Sequence, residues 1–266
     1  MVDFSSSIAE FRQVFQYREL IRNLVARDLK VRYKRSALGF VWVMLNPLLI
    51  MIVIYLVFSQ VFKGVQNFAA YVISGLILWS MFSHSTSAAT NSFLANGGLL
   101  KKIAVPKIIF PISSVISGLI NFCFSLAPLF IIFLLTGASL KPSGLLLPLC
   151  IAEVLIFSLG IALILSTVVV FFHDVVYIYE VLLLAWMYFS PIFYPASILP
   201  DSLRKWMQFN PFFHYLSLFR GLLYEMGIDG AALGTHFLYG FFFALFSLTV
   251  GVGVYIANRK KIVLYL

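Results

Sequence analysis

Residues 27–62, RDLKVRYKRSALGFVWVMLNPLLIMIVIYLVFSQVF, decide the fold. Within a few residues the chain passes from a strongly basic segment to an uninterrupted apolar one. A bilayer core of about 30 Å takes about 20 apolar residues of helix. Residues 38–62 therefore read as a membrane span. The basic part closes a segment, residues 1–37, that carries Arg12, Arg18, Arg22, Arg27, Lys30, Arg32, Lys34 and Arg35. Lys and Arg concentrate on the cytoplasmic side of membrane spans, so this segment orients the chain.

Working outward, further apolar stretches cover residues 69–93, 108–136, 145–172, 175–195 and 233–257. The stretch 108–136 contains Pro111 and Pro128, which membrane helices tolerate because neighbours satisfy the freed backbone groups. Only His173 and Asp174 separate the fourth and fifth stretches, implying a tight turn. The expected fold is an all-α membrane protein with six transmembrane helices in one domain. In 266 residues there is no room for a separate catalytic domain. Charged residues make up 11% of the chain, against about 25% in soluble domains. The first apolar run is too long for a signal-peptide core, so no cleavable signal is expected.

Charge tests the orientation. With alternating loops, fourteen Lys/Arg fall on the side of the termini and five on the other. Both termini are thus expected in the cytoplasm, with the protein in the inner membrane. The formal charge of +9 flanks apolar spans. It therefore reads as topology and not as nucleic-acid binding.

Two segments are neither spans nor simple loops. In residues 8–25, Ile8, Phe11, Phe15, Leu20, Leu24 and Val25 lie near helical spacing with charges between them. This predicts an amphipathic helix on the inner membrane surface, or a short helix packed on a partner. Residues 196–232 fall outside by topology, yet are too apolar for a free loop. Short re-entrant helices are expected there. Non-helical backbone at that depth must be buried in protein or face water.

Most chemistry is absent from the sequence. No GxxxxGK[ST], GxSxG or HExxH pattern occurs, so the chain is not expected to be an enzyme or to hydrolyse ATP. His84, His173, His214 and His236 are scattered without metal-ligand spacing. Cys123 and Cys150 lie in apolar segments and read as buried thiols. No metal is expected. Glu153, Asp174 and Glu180 are the only acidic residues in or beside spans, too few for the carboxylate relay of an ion-driven carrier. Aromatic surface is abundant, with 28 Phe, 13 Tyr and 4 Trp. Aromatic faces stack on sugar rings, and Tyr and Trp add a polar handle. Trp42, Tyr55, Trp186, Tyr188 and Tyr194 in the first and fifth spans are candidates for a polysaccharide path. Interfacial anchoring or packing is the alternative for each.

Three motifs carry a family resemblance. LVARDLKVRYKRSALGFVWVMLNPLL, with Asn46-Pro47, resembles the N-terminal signature of type-2 ABC exporter permeases of the polysaccharide and polyol phosphate group. NSFLANGGLLKKIAVPKIIFPISS, residues 91–114, is similar to that family's cytoplasmic loop. SPIFYPASILPDSLRKWMQFNPFFHYLSLFRGLLY, residues 190–224, resembles its segment before the last span. There Ser190, Pro191, Pro195, Leu199, Pro200, Asn210, Pro211 and Arg220 match the pattern. The likeness covers nearly the whole chain and is nearest to permeases for lipid-linked O-antigen. Teichoic acid and capsule permeases share the signatures.

The resemblance implies partners and a mechanism. Two copies of the chain form the pore, a homodimer, with two separate ATP-binding cassette subunits beneath. Those subunits, not this chain, bind ATP and Mg. An undecaprenyl-diphosphate-linked polysaccharide passes outward, its sugar in the pore and its lipid in the bilayer. Arg27, Lys30, Arg32, Lys34 and Arg35 could then form a basic vestibule for the pyrophosphate, or simply meet anionic membrane lipid. Asn96, Leu99, Leu100, Lys101, Lys102 and Ile103 would dock the ATPase. A small-molecule exporter of the same superfamily, or a membrane transferase acting on the same lipid-linked glycan, are the alternatives. The transferase would have to rely on Asp174 and Glu180 beside His173, or on Asp201 and Glu225.

Overall fold

The computed structural model describes residues 14–32, 34–102, 105–224 and 230–266, with the Arg32 side chain excepted. Eleven α-helices account for nearly all regular structure in these residues. They are α1 (Arg18–Arg32), α2 (Trp42–Phe58), α3 (Phe68–Thr90), α4 (Ser92–Ala95), α5 (Gly97–Leu100), α6 (Ile109–Thr136), α7 (Leu147–Val169), α8 (Val175–Phe189), α9 (Asp201–Met207), α10 (Pro211–Leu223) and α11 (Gly230–Tyr265). One isolated antiparallel bridge joins Leu140 to Tyr224.

Five helical stretches among the described residues are long and apolar enough to cross a membrane. They are Gly39–Phe58, Phe68–Thr90, Ile109–Thr136, Pro142–Val169 and Gly230–Tyr265. The remaining apolar helix, α8, has 15 residues. At about 1.5 Å per residue it is shorter than a bilayer core. The expected fifth span ran to residue 195, but the helix stops at Phe189. Pro191 disfavours helical backbone at the residue before it, and Ser190 is extended at φ −94° and ψ 144°. The chain then continues without helix through Ser190, Pro191 and Ile192, all three buried.

α3 is the axis of the bundle. Almost all of it is buried, and α2, α6, α7, α8 and α10 pack around it. Its middle and lower turns carry Ser85, Thr86, Ala89 and Thr90, small enough for close neighbours. The hydroxyls of Ser85, Thr86 and Thr90 donate to carbonyls one turn back, at 2.6, 2.8 and 2.8 Å. These three hydroxyls are thereby satisfied within the bundle. Around the upper half of α3, Trp79, Phe82, Phe157, Trp186 and Phe212 pack edge-to-face or tilted. The ring of Phe212 has its centroid 4.8 Å from those of both Trp79 and Phe82.

The basic segments collect at one end. Arg27 Nη1 of α1 donates to Asn96 Oδ1 at 2.8 Å. Lys107 Nζ donates to the Arg259 carbonyl at 3.0 Å. Part of the apolar face of α1 packs on the chain itself, while Phe15 just before it stays exposed. Leu24 is buried with Phe93, Leu100, Ile108, Ile109 and Ile262 of the same chain, and Leu20 and Ile21 pack beside it. The helix also runs further than residue 25, to Arg32. Ile8, Phe11 and Arg12 lie outside the described residues.

Residues 196–223 divide in two. α9 is exposed but for Met207. α10 is sunk in the bundle, burying Phe212, Tyr215, Leu216, Leu218, Phe219, Leu222 and Leu223. Its start is set by Asn210, whose side chain accepts from the Phe212 amide at 3.0 Å, and by Pro211 in the first turn.

Candidate functional site

A polar stripe runs along α6. Ser113, Ser117, Asn121 and Ser125 recur every fourth residue, on one helix face, and all four are buried. At the basic end the stripe borders a cavity of about 430 Å³ between α1, α4 and α6. Arg27, Asp28, Asn91, Ser92 and Asn96 close its other sides. Further along, Asn121 and Ser125 border a much smaller cavity with Trp42, Asn46, Ser80 and His84. Ser125 Oγ there donates to the Val43 carbonyl of α2 at 3.3 Å. Polar residues therefore line the contacts of α6 with α1 and with the first turns of α2. The sequence reading missed Ser113, Ser117, Asn121 and Ser125. Their four-residue period was visible within an otherwise apolar span, which was read only for its length.

The expected aromatic path splits. Trp42 and Tyr55 on α2 and Tyr188 on α8 are exposed, Tyr188 at 60%. Trp42 also borders the small cavity. Trp186 and Tyr194 turn into the chain's own fold. The Trp186 indole donates to Asn210 Oδ1 at 2.8 Å, inside the aromatic cluster. Tyr194 donates to the Tyr188 carbonyl at 2.9 Å, and its own carbonyl accepts from Tyr71. Both are half-buried and held by these hydrogen bonds, and Trp186 also borders an open pocket between α8 and the start of α10. α2 and α8 both lean on α3, and each leaves a broad apolar face uncovered in the single chain.

The expected basic vestibule is only partly free. Arg27 already pairs with Asp28 at 3.1 Å in addition to its bond to Asn96. Lys30, Lys34 and Arg35 are exposed. Arg32 lies outside what is described of side chains.

The expected docking loop is likewise narrowed. Asn96 is buried, holding Arg27 and donating from Nδ2 to the Ser92 carbonyl at 2.8 Å. Leu100 is in the chain's own core, and Leu99 packs partly against it. Lys101 and Lys102 face outward. Ile103 lies outside the described residues.

Other titratable groups stand elsewhere. His214 and His236 were read as scattered, but the fold sets their Nδ1 atoms 3.0 Å apart. No group of three or more metal-binding side chains occurs among the described residues. Of the inner cluster a transferase would need, His173 and Asp174 are exposed at the α7–α8 turn and Glu180 is exposed on α8. Glu225 lies outside the described residues. Glu153 is buried in α7 facing Gly240 and Tyr215.

At the far end of α3, irregular backbone is held by Arg220 of α10. Its Nη1 donates to the Pro191 carbonyl at 2.7 Å. Its Nη2 donates to the carbonyls of Tyr71 and Ile192, at 2.8 and 3.2 Å. Nε reaches Ser74 Oγ at 3.3 Å. The guanidinium also lies 3.6 Å from the centroid of the Tyr71 ring. Tyr71 Oη donates to the Pro191 and Tyr194 carbonyls at 2.9 and 2.8 Å. The break after α8 is thus satisfied by one arginine and one tyrosine.

The sequence pattern of the family described as ABC-2 type transporter matches residues 19–224. The chain is 35% identical over 191 residues to the O-antigen export system permease protein RfbA of Myxococcus xanthus, covering 71% of this chain and 74% of the relative. It is 31% identical over 186 residues to the protein of that name from Klebsiella pneumoniae, covering 69% and 71%. It is 23% identical over 240 residues to the polysialic acid transport protein KpsM of Escherichia coli, covering 88% and 92%.

Proposed function

Because the chain belongs to the ABC-2 type transporter family, we propose that it is the channel-forming permease subunit of an ATP-driven exporter of lipid-linked O-antigen polysaccharide. The similarity to two O-antigen export permeases, each spanning about 70% of both chains, carries the reading. The chain works beside a separate ATP-hydrolysing subunit that binds ATP and Mg. Two copies form the pore, with the uncovered outer faces of α2 and α8 available to line it. α8 and the buried extended segment after it serve as the fifth of six spans, with α9 and α10 re-entering from the outer side. The similarity to a polysialic acid transport protein supports capsular polysaccharide as the second reading.

In this reading the exposed Trp42, Tyr55 and Tyr188 offer ring faces to the apolar C–H faces of passing sugars. Expression in a strain lacking its own O-antigen permease, together with the cognate ATPase, should restore surface polymer. Rescue of only a capsule-permease mutant would select the second reading. Combining Trp42→Ala, Tyr55→Ala and Tyr188→Ala should lower export about tenfold or more, with a smaller loss of ATPase activity. Unchanged export would leave these rings as anchors and packing.

The termini face the cytoplasm in this reading, since the basic end holds most Lys and Arg. In whole cells, a cysteine replacing Ser202 should react with an impermeant thiol reagent. One replacing Lys260 should stay protected, and the reverse pattern would reject the orientation.

The ATPase contacts the exposed Lys101 and Lys102 through acidic groups. Juxtaposed like charges cost several kcal/mol at interfaces. Reversal by Lys101→Glu with Lys102→Glu should therefore remove most co-purified ATPase while membrane insertion persists. Full retention of the complex would place the docking surface elsewhere.

A further inference from the structure

We propose that the cavity of about 430 Å³ between α1, α4 and α6 is a binding site for a neutral, hydroxyl-rich ligand, one or two sugar rings of the exported glycan. The inference rests on polysaccharide being the cargo. It adds a site on residues outside the exposed aromatic faces.

The cavity's polarity selects the ligand. Asn121 is 5% exposed and its Oδ1 accepts no hydrogen bond from any described residue. Ser92 is also 5% exposed, and its Oγ has no partner. Both border the cavity. A buried polar atom without a partner costs about 1–3 kcal/mol, a cost that a small side-chain rotation toward a ligand's hydrogen-bonding group would relieve. The neighbouring hydroxyls have already spent their protons. Ser113 Oγ donates to the Phe110 carbonyl at 2.8 Å, and Ser117 Oγ donates to the Ser113 carbonyl at 2.9 Å. What these oxygens still offer is lone pairs. The α6 wall is therefore rich in acceptors, with the Asn121 amide N–H groups as its side-chain donor, and suits a hydroxyl ligand that donates and also accepts.

That argues against phosphate, whose oxygens mainly accept. The single nearby cation does not reverse this. Arg27 is neutralised by Asp28 at 3.1 Å and occupied by Asn96 at 2.8 Å. Sugar hydroxyls donate to the acceptor wall and accept from Ser92 Oγ. The wall also includes Phe110 and Ala88, apolar surface for the C–H face of a sugar ring. The volume is within the range of small-ligand pockets.

The test is equilibrium binding of lipid-free polysaccharide, released by mild acid from the producing cells, to the full-length permease in detergent. The wild-type protein should bind it. Asn121→Leu, which removes the acceptor and fills space, should weaken binding about tenfold or more. Ser117→Ala, a milder change chosen in case Asn121→Leu misfolds, should also weaken it measurably. Binding unaffected by both changes overturns the site. So does absence of wild-type binding when the same protein restores surface polymer in cells. Sugar binding that is lost in both variants, with no rescue of export in cells, keeps the site and rejects the export reading. The two ideas therefore fail separately.

Discussion

Arg220→Ala is expected to leave little folded protein in the membrane. Arg220 is 2% exposed, and its guanidinium serves the carbonyls of Tyr71, Pro191 and Ile192 at once. Two of those carbonyls belong to non-helical backbone, where no helix bond can replace the lost donor. Among the described residues no carboxylate forms an ion pair with it. The cation is therefore stabilised by carbonyl dipoles and by the Tyr71 ring. Breaking such a buried charged network costs about 3–5 kcal/mol, a large part of a domain's total stability. Arg220→Lys should recover only part of the loss, because an ammonium lacks the planar fork that reaches several acceptors and stacks on a ring. Tyr71→Phe should have a smaller effect, since it removes only the hydroxyl's bonds to Pro191 and Tyr194. Yield of monodisperse protein and its apparent Tm in detergent measure all three. An Arg220→Ala protein with wild-type yield and Tm would contradict the assignment.

Gly160→Leu is expected to be comparably damaging, through shape and not charge. α7 and α11 cross in direct backbone contact. A Cβ placed on Gly160 meets the Ser247 carbonyl group and the Leu248 nitrogen, and one on Gly251 meets the Gly160 carbonyl. Ser247 Oγ seals the crossing by donating to the Phe157 carbonyl at 3.2 Å. Without a hydrophobic driving force between helices in lipid, close packing of small residues carries much of the association. Even an added methyl forces the helices apart, and overpacking costs about 1–3 kcal/mol or more. Gly160→Ala should thus lower the Tm, and Gly160→Leu should abolish recovery of folded protein. Gly253→Ala, on the same helix with nothing within 4 Å of its Cβ, should be neutral or slightly stabilising, because alanine is the better helix former. Equal behaviour of Gly160→Ala and Gly253→Ala would remove the crossing from the account.

Legibility followed the physics of each signal. Length and apolarity located helices such as α3 and α6, since spanning a bilayer is a requirement on composition. Residue type also located the basic end, where Lys101 and Lys102 face outward, because single charged residues carry that signal. The hydrogen bonds that hold Trp186 and Tyr194 were not legible. Aromatic character alone does not separate a ring facing outward from one whose indole meets Asn210. Nor could Asn96 and Leu100 be recognised as inward-facing, since their burial depends on α1 packing over them.

By itself the sequence determined a membrane-embedded helical protein, with basic segments gathered to one side and the three motifs that resemble its family. Those features depend on counts and local order along the chain. Tertiary structure decided which face of most spans is buried. In spans apolar on every side, the hydrophobic pattern distinguishes no face. The selection fell to small residues at crossings, such as Gly160 against Ser247. It fell also to polar groups that cannot remain unpaired in lipid, as where Arg220 closes the break after α8.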